Sequence, residues 1–142
     1  CELSDRIAAL GGVAGYYTFE TCEPTRPVPV MAFHGDRDAI VPIDGMAGGV
    51  GSVAPIADWV AGWAERNACQ TTETLETVGT VRGTRYTDCS EDADVVYYVV
   101  GGGGHTWPGE SEQPEFISGM VNRDIDASVL MWDFFSQYAL PR

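Results

Sequence analysis

Apolar residues concentrate in two short, almost unbroken runs that predict buried strands. Residues 29–33 and 95–100 are nearly all hydrophobic, which is typical of parallel strands that are covered on both faces. Residues 11–15, with the sequence Gly-Gly-Val-Ala-Gly, predict a third buried strand or strand end. Between residues 71 and 88, threonine-rich alternation with a break at Gly79 predicts a hairpin or strand pair.

Segments with helical spacing separate these strands. Residues 53–67 predict an amphipathic helix, because four apolar positions recur at i, i+3, i+4 and i+7. Those positions are Ile56, Trp59, Val60 and Trp63. Residues 1–10 have the pattern of the middle or end of another helix, and residues 44–51 form a glycine-rich loop. The alternation predicts an α/β fold with a mainly parallel sheet flanked by helices and a small β-hairpin insertion, in one domain over residues 1–142.

A final helix is predicted over residues 127–138, and either Asp124 or Asp126 could cap its start. Its apolar residues, which include Val129 and Trp132, suggest a large face packed on the sheet. The tryptophans on both long helices are therefore expected in the core.

The composition describes a globular chain with an acidic surface. Hydrophobic residues make up 44% of it, which excludes wholesale disorder. Its 21 acidic residues outnumber 8 arginines, and the net charge is −13. Such a surface repels phosphate backbones and anionic lipid, so neither nucleic acid nor a membrane is an expected partner. The start of the chain, which lacks a signal-type segment and reads as part of a helix, suggests a mature or truncated product.

Four cysteines, an even number, suggest disulfide bonds. Because none stands in a Cys-x-x-Cys pair and the chain has only 2 histidines, neither a metal site nor another cofactor is expected. Three pairings are open, and the sequence-local one, Cys1 with Cys22 and Cys69 with Cys89, closes loops of roughly 20 residues. Two bridges would indicate an oxidising compartment, and hence a secreted, extracellular or periplasmic protein. The alternative is four buried free thiols.

A candidate catalytic residue follows each of the two apolar strands. His105 stands in a four-glycine loop after residues 95–100, and Asp38 follows the strand at residues 29–33. In open α/β sheets, functional groups collect at the carboxyl ends of the strands. A carboxylate that accepts a hydrogen bond from one imidazole nitrogen leaves the other free to take a proton from a nucleophile. The sequence therefore predicts His105 as a catalytic base and Asp38 as the acid that orients it.

Three neighbouring residues have alternative roles. Asp36 competes with Asp38 for the acid position, although carboxylates two positions apart point in different directions; both could instead cap the loop or pair with Arg37. His34 is expected to be a buried, hydrogen-bonded structural histidine. Trp107 is a candidate wall of a substrate pocket, with plain packing as the equal alternative.

Two motifs resemble a known family. His34-Gly35-x-x-Asp38-x-x-Val41-Pro42 resembles the acid-bearing loop of many α/β-hydrolases. The sequence Gly-Gly-Gly-His-Thr-Trp-Pro-Gly at 102–109 is similar to that of the secreted polyhydroxybutyrate depolymerase and feruloyl esterase group, as are the ending at 125–135 and the helix that ends at 63–69. The resemblance implies an α/β-hydrolase fold, with Asp38 as the acid and His105 as the base of a serine esterase triad.

The chain departs from that family in one respect, since it contains no Gly-x-Ser-x-Gly nucleophile motif, and Ser52 lacks the flanking glycines. The resemblance implies that the nucleophile elbow, the oxyanion-hole donors and the first strands would precede residue 1, which makes residues 1–142 the C-terminal part of the domain. We therefore expect part of a feruloyl, acetyl or hydroxyalkanoate esterase that forms an acyl-enzyme and is inactive alone. Its expected partners are the ester substrate and the N-terminal half of the hydrolase or another copy of the chain; the alternative is a non-catalytic binding or partner-completing module.

Overall fold

Five strands and two α-helices form the part of the chain described by the computed structural model, which comprises residues 1–15, 22–46, 53–110 and 118–140. The strands are β1 (Leu10–Val13), β2 (Val30–Gly35), β3 (Thr71–Thr74), β4 (Val81–Thr87) and β5 (Val95–Val100). The helices are α1 (Ile56–Arg66) and α2 (Ala127–Phe135), and a short 3₁₀ turn covers Ser90–Asp92.

The strands make one mixed sheet in the order β1-β2-β5-β4-β3. Strands β1, β2 and β5 are parallel, whereas β4 pairs antiparallel with both β5 and β3. The five strands and two helices are compatible with the predicted α/β fold, and in the described residues the sheet is mixed, since three of its strands are parallel and the hairpin strands add two antiparallel pairings. The hairpin is a continuation of the sheet, because the short connection between β4 and β5 can join only antiparallel neighbours, while parallel strands need a long crossover.

Two apolar layers cover the two faces of the sheet. Successive residues of β2 point to opposite faces, so Val30 and Ala32 pack in the layer with α1, while Met31 and Phe33 pack in the layer with α2. The predicted helix at 53–67 begins at Ile56, three residues later than expected. Its predicted inner positions are all buried, namely Ile56, Trp59, Val60 and Trp63.

The predicted helix at residues 1–10 is wrong. This segment forms turns, in which the amides of Arg6 and Ile7 donate to the carbonyl of Leu3. The Ser4 hydroxyl is buried and accepts a hydrogen bond from the backbone amide of Thr25, 21 residues away. Because this side chain ties the segment to a distant loop, tertiary contacts override the helical spacing of its apolar residues.

The final helix faces the sheet differently than predicted. Asp126 caps it by accepting from the amide of Val129, while Asp124 accepts from the amide and hydroxyl of Thr80. The inner face is Ala127, Met131 and Phe134. Val129 and Trp132 point outward, and Trp132 is 71% exposed. Because this helix is apolar on nearly every side, its sequence pattern could not indicate which face is buried.

The glycine-rich loop predicted at 44–51 lies largely outside the described residues, as does Ser52. At its borders, Met46 and Val53 exchange two backbone hydrogen bonds, which bring the two ends of this segment together. In the described ranges, no helix has the length and apolar character needed to cross a membrane.

Two disulfides are present, Cys1–Cys22 and Cys69–Cys89, and no cysteine is free. They correspond to the sequence-local pairing. Cys69 follows the end of α1 and Cys89 follows β4, so this bridge joins the helix layer to the antiparallel part of the sheet. Two disulfides in one chain are consistent with a protein that folds in an oxidising compartment, as secreted proteins do.

Removing either bridge should lower the free energy of unfolding by about 3 kcal/mol, because each closes a loop of about 20 residues in the denatured chain. The two double variants, Cys69→Ser/Cys89→Ser and Cys1→Ser/Cys22→Ser, are matched controls, since their sequence separations are 20 and 21. Urea unfolding of both variants beside the wild type measures the effect. Losses below about 1 kcal/mol for both would contradict the chain-entropy explanation.

Candidate active site

The loops that carry Asp38 and His105 leave the sheet side by side. Strands β2 and β5 are parallel neighbours whose last residues, Gly35 and Val100, are paired. Beyond this pair the amide of Arg37 donates to the carbonyl of Gly103 at 3.0 Å. A Cβ atom on Gly35 would collide with that same carbonyl oxygen. The close approach of the two loops therefore depends on glycine at position 35.

Asp38 and His105 are in direct contact. Oδ2 of Asp38 lies 3.0 Å from Nδ1 of His105. The Asp38 side chain is completely buried, and that of His105 is 34% exposed. Oδ1 of Asp38 accepts from the amides of Ile40 at 2.9 Å and Val41 at 2.8 Å. The carboxylate is thus held on one oxygen by the backbone and presents the other to the imidazole.

This contact determines what His105 can do chemically. A carboxylate oxygen accepts, so Nδ1 of His105 carries a proton and, in the neutral ring, Nε2 carries a lone pair. Among the described residues, Nε2 of His105 has no hydrogen-bond partner. A partly exposed imidazole with a free lone pair and a buried carboxylate behind it can accept a proton from a neighbouring hydroxyl.

The His105 loop is also held from its other side. The amide of His105 donates to the carbonyl of Ser118, and the amide of Gly104 and the hydroxyl of Thr106 both donate to the carbonyl of Met120. Gly104 lies so close to Ser118 that a Cβ atom would strike the backbone there. No sequence pattern indicates the segment at 118–120, because it has no periodicity and its contacts use backbone carbonyls, which every residue type has.

Asp36 lies apart from the imidazole. Its side chain is exposed, and its Oδ1 accepts from the amide of Gly102 at 2.7 Å. The two carboxylates therefore diverge, as expected for positions two residues apart in this turn. Asp36 forms a hydrogen bond with the start of the glycine loop, whereas Asp38 contacts the ring of His105.

His34 is buried and hydrogen-bonded. Its Nε2 lies 2.8 Å from the carbonyl of Val41, and the residue is 1% exposed. Burial lowers the pKa of His34 from its ordinary value of 6.5, because the surrounding protein disfavours the charged ring. The nearby Asp38 carboxylate opposes this shift without outweighing it. The ring is therefore neutral at neutral pH.

Trp107 packs on the start of α2. Its indole Nε1 donates to the hydroxyl of Ser128 at 3.0 Å, and the residue is 39% exposed. A pocket of about 590 Å³ is lined in part by Asp36, Gly102 and Asn122. Trp107 is not among the described residues that line it. The role of Trp107 at a substrate pocket stays a prediction.

Within the described residues, no group of three or more histidine, cysteine and acidic side chains is placed to hold a metal ion.

Sequence comparison relates this chain to esterases. A protein from Nocardia uniformis subsp. tsuyamanensis named as an esterase, NocK, is 31% identical over 128 residues, covering 76% of this chain and 37% of that protein. Feruloyl esterase B from Piromyces equi is 28% identical over 151 aligned residues, covering 99% of this chain and 25% of that protein. The chain thus spans little more than a third of the first relative and a quarter of the second. No protein-family model matches it.

Proposed function

We propose that this chain supplies the acid and the base of a serine carboxylic ester hydrolase with an α/β-hydrolase fold. The observation that carries the proposal is the 3.0 Å contact between buried Asp38 and partly exposed His105. It lies at the carboxyl ends of two adjacent parallel strands, in a chain that is similar to two proteins named as esterases. Feruloyl, acetyl and hydroxyalkanoate esters are the proposed substrates.

In this proposal His105 is the general base and Asp38 its positioning acid. Nε2 of His105 takes the proton of a serine hydroxyl as that oxygen attacks the ester carbonyl, and later returns it to the alcohol that leaves. Asp38 fixes the ring so that Nε2, not Nδ1, carries the lone pair. It also stabilises the imidazolium, because a buried carboxylate at 3.0 Å interacts more strongly with that charge than water would.

The nucleophile, in this proposal, comes from polypeptide outside these 142 residues. They contain no Gly-x-Ser-x-Gly motif, and a second copy of the chain would bring none either. In the described part of the chain, β1 pairs only with β2, so its other edge is available for a further strand. A strand parallel to β1 there would carry the loop that follows it to the same end of the sheet as Asp38 and His105.

Hydrolysis of a p-nitrophenyl ester tests this proposal. The 142-residue chain alone is expected to give no hydrolysis above background, whereas a longer polypeptide that joins it to a Gly-x-Ser-x-Gly segment should turn the ester over. In that longer protein, His105→Ala should lower kcat at least about a thousand-fold, because the nucleophile loses its base.

Three results would contradict the proposal. Turnover by the 142-residue chain would place the nucleophile within it and direct attention to Ser52. Full activity of the His105→Ala variant would remove the base from its assigned role, and a longer protein that hydrolyses no ester would favour the binding-module alternative.

A further inference from the structure

The chain has two histidines, and both lie against the same carboxylate oxygen. Oδ2 of Asp38 is 3.0 Å from Nδ1 of His105 and 3.5 Å from Nε2 of His34. The side chains of His34 and Asp38 are both completely buried. The acid therefore lies between a partly exposed imidazole and a fully buried one, and the mechanism above uses only the first.

The hydrogen bond to Val41 fixes the tautomer of His34. Nε2 lies 2.8 Å from the carbonyl oxygen of Val41, which can only accept, so the proton is on Nε2. The opposite tautomer would place two lone pairs against each other. It would also bury an N–H group at Nδ1, which is buried without a hydrogen-bond partner among the described residues. His34 is thus a neutral donor that directs its N–H toward Val41 and Asp38 and adds no charge.

Two hydrogen bonds connect His34 to the acid through Val41. His34 donates to the carbonyl of Val41, and the amide of Val41 donates to Oδ1 of Asp38. His34 itself belongs to β2, where it pairs with Val99 of β5. The loop that orients the carboxylate is therefore tied to a strand whose six residues are all buried. Without the imidazole donor, the Val41 carbonyl loses this partner, and the loop is left with the bond from the Asp38 amide to the carbonyl of Gly35 as a connection to β2.

We propose that His34 is a positioning residue, which holds the 38–41 loop so that Oδ2 of Asp38 faces Nδ1 of His105. The proposed function gives this role its catalytic meaning, but the contacts can be measured without catalysis. A packing histidine would tolerate any side chain of similar volume. A positioning histidine requires a donor at Nε2.

Nitrogen-detected NMR of the 142-residue chain gives a first test. Only two imidazoles contribute signals, and a His105→Gln variant assigns them. We expect the neutral ring of His34 to carry its proton on Nε2 and, because burial lowers its pKa, to become charged only at a lower pH than an ordinary histidine. A neutral His34 ring with its proton on Nδ1 would overturn the proposal.

Two variants separate positioning from packing. His34→Phe keeps a planar ring but removes the donor, while His34→Gln places an amide donor near the position of Nε2. The Nδ1 proton of His105, shifted downfield by its bond to Asp38, should be lost in His34→Phe and kept in His34→Gln. In the ester-hydrolysing protein, His34→Phe should lower kcat about 10- to 100-fold with KM unchanged, and His34→Gln should restore it to within about 5-fold.

The outcomes separate the two proposals. A folded His34→Phe chain that keeps both the His105 proton signal and full kcat would overturn the positioning role. If His34→Phe does not fold, a folded His34→Gln chain that lacks the signal would do so as well. If instead Asp38→Asn and His105→Ala leave hydrolysis unchanged, the esterase mechanism is wrong, while the NMR contacts among the three side chains are still expected.

Discussion

Asp38→Asn should lower kcat for ester hydrolysis about 10³- to 10⁴-fold in a protein that contains this chain and a nucleophile. Backbone amides of the loop determine the orientation of the new asparagine side chain. The amides of Ile40 and Val41 both donate to the position of Oδ1, so the asparagine oxygen must occupy it and its NH₂ group must face His105. That NH₂ group is a donor, so Nδ1 of His105 would have to carry the lone pair.

The consequence is a histidine in the wrong tautomer. With its lone pair on Nδ1, the neutral ring carries its proton on Nε2, where the base needs a lone pair. The amide would also set a second donor within 3.5 Å of Nε2 of His34, which already carries a proton. The loss should therefore appear in kcat, while KM and the free energy of unfolding change much less.

Asp36→Asn is the matched control. Asp36 uses one oxygen to accept from the amide of Gly102, and an asparagine oxygen can accept from the same amide. We expect kcat within about 5-fold of the wild type, because neither the loop nor the tautomer of His105 changes. Equal losses in Asp36→Asn and Asp38→Asn would mean that charge near the loop, rather than the Asp38 contact, determines the rate.

The candidate site could be predicted from sequence because its geometry follows from topology. Two near-continuous apolar runs indicated β2 and β5, and parallel neighbours in a sheet bring the loops after them to the same edge. The choice of Asp38 over Asp36 agrees with the contact in the structure. The segment at 118–120 that holds the His105 loop could not be predicted, because it acts through backbone carbonyls.

The errors in the fold predicted from the sequence have a common physical origin. Residues 1–10 and the outer face of α2 both carry apolar residues at helical spacing, but spacing alone does not say which contacts the tertiary structure will make. Ser4 bonds to Thr25 and prevents the first helix, and the position of Met131 and Phe134 on the sheet leaves Trp132 exposed. The sequence pattern also did not indicate that the sheet is mixed. Alternation at 71–88 predicts a hairpin, but it does not show which strand of the sheet the hairpin pairs with.

Asn67→Ala should lower the free energy of unfolding by about 3–5 kcal/mol, a large part of the roughly 5–15 kcal/mol that stabilises a typical domain. Asn67 is completely buried at the end of α1. Its Oδ1 accepts from the amide of Val28, and its Nδ2 donates to the carbonyls of Val28 at 2.8 Å and Ala93 at 2.7 Å. These two residues precede β2 and β5, so one side chain connects the helix to both central strands.

Alanine would leave three buried backbone groups without their partner, because Val28 and Ala93 are each only 1% exposed. Urea unfolding monitored by tryptophan fluorescence measures the loss. Gln70→Ala is the control, since Gln70 is an exposed amide that makes one local bond, to the carbonyl of Ala68. That change should alter the free energy by no more than about 0.5 kcal/mol. Similar values for both variants would show that Asn67 is not a structural link.

Asn67→Asp tests the donor function separately from side-chain size. The carboxylate can still accept from the amide of Val28, but its second oxygen would face the carbonyls of Val28 and Ala93, and three oxygens repel one another. Protonation of this carboxyl restores one donor. Because the buried site favours the protonated form, the stability lost at pH 7 should be regained as the pH falls toward about 4, where free aspartate in the unfolded chain also binds its proton. A destabilisation that does not change with pH would mean that volume or packing, and not the donated hydrogen bonds, explains the importance of Asn67.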